Sequence, residues 1–131
     1  MATITDFEQL DIWKKARVLQ KEVFKLTRRP DFARDYRLVS QINDATDSVM
    51  SNVSEGIERD GNKELKQYLS NAKGSAGEVR SHLWVALDRE YILKEEFEEL
   101  RMKSVEIGRM IAGFVRYLRN TEIKGQKFKR S

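Results

Sequence analysis

Leu65, Leu69, Ala72, Ala76, Val79, Leu83 and Ala86 follow one another at alternating spacings of four and three residues. A helix turns about 100° per residue, so this spacing lays all of them along one seam of the kind that packs helices into bundles. Beside the seam runs a stripe of small residues, Ser70, Gly74, Gly77 and Ser81, and a third stripe is polar: Tyr68, Asn71, Ser75, Glu78 and His82. A helix with three different stripes must satisfy more than one neighbour.

The same period organises the rest of the chain. A first helix is predicted over about 5–28, with Ile12, Ala16, Leu19, Val23 and Leu26 inward, Phe7, Leu10 and Trp13 enlarging its start, and Pro30 stopping it. A second is predicted over about 33–57, with Leu38, Ile42, Ala45, Val49 and Val53 inward. Asp60, Gly61 and Asn62 form a turn in which Asn62 can cap the third helix, over about 62–89. After a short connection at Glu90–Leu93, a fourth helix over about 94–121 repeats Phe97, Leu100, Ser104, Ile107, Ile111, Phe114 and Leu118. Helices of this length with short connections predict an all-α, antiparallel, up-and-down four-helix bundle spanning residues 1–121.

Composition narrows the function classes. The 131 residues hold no cysteine, which excludes disulfides, thiolate metal sites and cysteine nucleophiles. No apolar run approaches the roughly 18 residues of a membrane span, and the N-terminal stretch lacks the basic-then-apolar order of a signal peptide, so a cytoplasmic protein is expected. The formal charge is +4, and Lys124, Lys127, Lys129 and Arg130 against Glu122 place +3 of it in residues 122–131. That segment reads either as a flexible solubilising tail or as an electrostatic hook for a phosphate-bearing partner, its four cations being the candidate nucleic-acid contacts.

Histidine-based catalysis in this chain could use only His82, the sole histidine. One histidine cannot supply the paired Glu-x-x-His ligands of a di-iron bundle. No Gly-x-Ser-x-Gly turn accompanies it, and neither glycine-rich phosphate-loop pattern occurs. Arg80 lies too close to His82 for the Arg-x4–6-His motif of helical ribonucleases. His82 reads as a hydrogen-bonding member of the polar stripe, paired with Glu78 one turn away. No catalytic residue, cofactor or metal site is expected.

Two further surfaces remain. Gln41, Ser48, Asn52 and Glu55 fall on one face of the second helix, where they could form a register-setting hydrogen-bond network with the third or border a ligand site. On the fourth helix Val105, Gly108, Ala112 and Val115 make a second stripe beside the core seam. Together with Ser70, Gly74, Gly77 and Ser81, Gly108 and Ala112 are candidates for close packing, within the bundle or against a second subunit.

Gln41-Ile42, Ala45, Ser48-Val49, Asn52-Val53 and Glu55-Gly56, followed by Arg59, resemble the Q-[LI]-x-x-A-x-x-S-[IV]-x-x-N-[IV]-x-E-G pattern of 23S rRNA intervening sequence proteins, also called S23 proteins. Phe7, Leu10, Trp13, the Tyr68-Leu69 and Ala72-Lys73-Gly74-Ser75 runs, and Glu78 extend the resemblance. It implies a four-helix bundle that assembles as a homopentamer, with no established enzymatic activity, and it makes RNA the expected partner beside the chain itself. Where relatives carry basic residues and a proline, this chain has Asn43-Asp44 and Met50, which weakens phosphate contact by that helix face. The expectation is a non-enzymatic oligomer that binds RNA. A protein-partner adaptor using Met110 and Tyr117 is the alternative, and a hydrolase using His82 a third.

Overall fold

The computed structural model describes residues 6–130, with side chains described through residue 121. A 3-10 turn at Phe7–Gln9 leads into α1 (Asp11–Thr27), and the single-turn α2 (Pro30–Ala33) precedes α3 (Tyr36–Glu58), α4 (Asn62–Asp88) and α5 (Lys94–Arg130). The described residues contain no strand. Four long helices therefore make the fold, as the spacing predicts.

Their ends differ from the sequence reading for local reasons. The expected first helix is broken at Leu10, which is extended at φ −77° and ψ 127°. The break folds Phe7 back onto Trp13, edge to face with ring centroids 5.1 Å apart. Pro30 does not only stop a helix: it opens α2 at the first turn, where a missing N–H goes unnoticed. The second long helix then starts at Tyr36 and not near residue 33, because the Asp35 side chain accepts the Leu38 N–H at 3.3 Å and caps it. Asn62 is not the cap of the third helix. Gly61 holds that position with φ +97°, a conformation that disfavours any side chain. The backbone of α5 continues past the expected end at Thr121; the side chains of residues 122–131, with the expected tail cations Lys124, Lys127, Lys129 and Arg130, lie outside the described residues.

The core is the set of seams. Every seam residue chosen by spacing from Ile12 to Leu118 is buried, apart from Leu65 and Phe114, which pack half-buried against it. Each large aliphatic so enclosed contributes about 1.5–3 kcal/mol of transfer free energy, and this burial is what holds the helices together. Ser104 tolerates full burial in its seam because its hydroxyl donates to the Leu100 carbonyl at 3.0 Å.

Side-chain pairs fix the helix directions. Ser48 meets Ser75 near mid-helix, while Asp35 before α3 meets Arg89 after α4, so these neighbours are antiparallel. On the α1/α5 seam Lys15 pairs with Glu106 at 3.0 Å, Glu22 with Lys103 at 2.7 Å, and Arg29 with Glu96 through Nη1 to Oε1 at 2.8 Å. The partners rise along α1 and its end as they fall along α5, so this seam is antiparallel too. α1, α3, α4 and α5 thus each pack on the next, and α5 closes on α1.

Candidate functional site

The motif face of α3 resolves into inward and outward halves. Ala45 is buried in the core. Ser48 and Asn52 are half-buried toward α4, and Gln41 and Glu55 point to solvent. The Asn52 amide donates to the Ser48 carbonyl at 2.8 Å and to the Ser48 hydroxyl at 3.0 Å. Ser48 Oγ in turn lies 2.8 Å from Ser75 Oγ on α4. With the Asn52 proton already accepted, the Ser48 hydroxyl is free to direct its own proton to Ser75. The network locks the α3–α4 register: a slip of either helix by one residue would strand polar groups against the core.

Gly56 completes that interface. A Cβ there would stand 3.0 Å from Tyr68 Cβ and 3.1 Å from Leu65 Cδ1. The motif glycine is the point at which the end of α3 meets the start of α4 without room for a methyl group. Asn43 turns toward α1 and donates to Thr27 Oγ1 at 3.4 Å. It is a packing residue here, not part of an outward phosphate-binding face.

The small-residue stripe behaves differently. Ser70, Gly74 and Ser81 are exposed, Gly77 and Ala112 half-buried and Gly108 buried. Yet a Cβ on Gly74 or Gly108 would meet nothing within 4 Å, and one on Gly77 would meet only the Arg80 guanidinium, at 3.8 Å. Close packing within the bundle does not explain these glycines. Gly108 lines a shallow groove between α4 and α5 with Lys73, Arg80, Val105, Arg109 and Ala112, and Gly77 borders it beside Arg80.

His82 is half-buried with Nε2 3.8 Å from Glu78 Oε2, the expected pairing. No hydrogen bond joins it to a serine among the described residues, nor do His, Asp and Glu side chains there form a group of three able to hold a metal. Tyr117 is 43% exposed, whereas Met110 lies partly buried against the core, so the two do not share one open patch.

A polar node that the sequence reading missed lies at the other end of the bundle. Asp35 Oδ2 accepts from Arg89 Nη1 at 2.7 Å and from the Tyr91 hydroxyl at 2.8 Å, while Oδ1 caps α3. Tyr91 also stacks on Phe32, with ring centroids 5.0 Å apart. The Tyr91 hydrogen bond, then Arg89, hold the Asp35 carboxyl below its ordinary value, and the same bond raises the Tyr91 phenol. An aspartate three residues before Leu38, at the head of a periodic run, was the available signal.

The sequence profile of the 23S rRNA-intervening sequence protein family matches residues 8–113. The chain belongs to this family. A solved relative in fold is a protein of unknown function from the S23 ribosomal protein family of Bacteroides thetaiotaomicron, 19% identical, with a TM-score of 0.72 over 79% of this chain and 97% of that one. No functionally curated protein matches. As a 23S rRNA-intervening sequence protein, the chain has its motif residues Ala45, Ser48, Asn52 and Gly56 buried or half-buried, with Ser48 and Gly56 at the α3–α4 interface. No helix among the described residues is long and apolar enough to cross a membrane.

Proposed function

We propose that the chain is a non-enzymatic helical-bundle module that assembles with copies of itself and binds RNA. The observation that carries this reading is the α4/α5 face, which presents glycines that nothing in the protomer requires, beside cations that no carboxylate meets among the described residues. Such a face belongs to a protein completed by a partner. Family membership supports RNA as the eventual cargo, and so does the concentration of Lys124, Lys127, Lys129 and Arg130 near the C-terminus.

Assembly gives those cations their leverage. One copy brings a handful of positive charges, whereas a ring of copies pools them into a polyelectrolyte contact whose affinity falls steeply with salt. Light scattering of the full chain at micromolar concentration should give a mass several times the protomer's 15.4 kDa. Low-salt titration with structured RNA should show binding that weakens as salt rises, and removal of residues 122–131 should weaken it and flatten the salt dependence. A protomer mass would refute the assembly, and unchanged affinity without residues 122–131 would refute their role.

A further inference from the structure

The outer surface of α3 is the chemical complement of the α4/α5 groove. Ser40, Asp44, Asp47, Ser51, Glu55 and Glu58 are all exposed on α3, and from Leu38 to Glu58 the sequence contains no lysine or arginine. None of these carboxylates has an ion-pair partner among the described residues. Desolvation, and then the charge of neighbouring Asp44, raise the Asp47 carboxyl above its ordinary value, as expected for an acid without a cation beside it. Across the molecule the groove has the opposite character. Lys73, Arg80 and Arg109 line it and have no carboxylate partner among the described residues, while the α1/α5 seam pairs Lys15, Arg29 and Lys103.

The glycines decide what kind of body fits there. Gly108 lines the groove, and on α4 Gly77 stands one turn from both Lys73 and Arg80, with Gly74 next to Lys73; all three sit in helix interiors, where glycine is less favourable than alanine. A phosphate backbone needs cations but no glycine floor. A helix lying close to the groove needs both the cleared floor and small residues on its own ridge, and α3 supplies serines between its acids. We propose that the acidic α3 ridge of one copy seats in the basic α4/α5 groove of the next, bringing Asp44 and Asp47 to Lys73, Arg80 and Arg109. The inference rests on the assembly reading above and adds its geometry. Two different faces of one chain meet, so the contact is head to tail, and it propagates until it closes into a ring. Two α4/α5 faces could not pair with each other, because their cations would be set against their own copies.

Charge reversal tests this on the full chain by sedimentation velocity, with circular dichroism to verify helix content. Arg80→Glu with Arg109→Glu, or Asp44→Lys with Asp47→Lys, should each weaken assembly by about 100-fold or more and give protomers. All four substitutions in one chain should restore the wild-type mass, since both faces are then reversed together. Gly74→Leu provides a steric arm: its Cβ has open space in the protomer, so the fold should persist while assembly is lost. Wild-type mass in either charge-reversed pair or in Gly74→Leu, or failure of the fourfold chain to reassemble, overturns the proposal. So does loss of RNA binding with unchanged mass in the Arg80→Glu, Arg109→Glu chain, which would make the groove an RNA seat. A wild-type protomer would remove the assembly reading itself, a different result from an oligomer indifferent to these faces.

Discussion

Tyr91 donates its phenolic hydroxyl to Asp35 Oδ2 at 2.8 Å, tying the turn between α4 and α5 to the residue that caps α3. The bond favours a protonated phenol and an ionised carboxylate, so it makes stability depend on pH at both extremes. The Asp35 carboxyl titrates below its usual 3.8: its contribution is complete above that value and is lost as pH falls through the lower folded one. The Tyr91 phenol titrates above its usual 10.0: its contribution is complete below that value and is lost as pH rises through the higher folded one. Tyr91→Phe should therefore flatten the alkaline limb of a Tm-versus-pH curve and shrink the acid limb, whose onset stays fixed by the unfolded chain. Superimposable curves for the two proteins would show that the bond does not form in solution.

The Ser48, Asn52 and Ser75 network should behave as a unit. Ser48→Ala removes the acceptor used by Asn52 and the partner of Ser75, and should cost about 1–2 kcal/mol. Ser48→Ala combined with Ser75→Ala should cost less than the two alone, with a coupling of about 0.5–1 kcal/mol in a urea-denaturation cycle. Strict additivity would mean that the serines do not share a bond.

Two backbone positions should respond in opposite directions. Gly56→Ala places a Cβ against Tyr68 Cβ, which cannot swing aside, and should destabilise by about 1–3 kcal/mol despite alanine's better helix propensity. Glu90 adopts φ +62° at the end of α4, where the Tyr91 N–H reaches the Ala86 carbonyl at 2.9 Å in a closing turn that favours glycine. Glu90→Gly should raise stability by about 0.5–1 kcal/mol. Denaturant midpoints measure both.

The ion pairs between α1 and α5 should matter little beside the core. Lys103 is partly exposed as it pairs with Glu22, so Lys103→Met should change stability by less than about 1 kcal/mol. Ile111→Ala, at a fully buried seam position, should cost about 2–5 kcal/mol. A larger loss at Lys103 than at Ile111 in thermal melts would reverse this ranking.

Spacing alone located the four long helices and nearly all of the core, because a four-and-three apolar period has one structural solution in a chain without competing strand patterns. Helix ends were harder to read. Asp35 and Gly61 act through local backbone competition that periodicity does not register, and Pro30 opens a helix as readily as it ends one. At the motif, the residue types were legible as a network, but the partner of Ser48 was not, since choosing Ser75 over its polar neighbours requires the helix register. The small stripe was legible as unusual; only the open space around Gly74 and Gly108 separates an outward face from an inward one.

The order of packing around the bundle also bears on how the chain reaches it. α1 with α3, α3 with α4, and α4 with α5 are successive hairpins that form between neighbours along the chain, and the α1/α5 seam alone joins long helices from opposite ends of it. Local contacts of this sort fold fast, and closing the longest loop comes last. The α1/α5 seam is then the last contact to close and the first to open, and amides along it should exchange with solvent ahead of those in the α3–α4 pair.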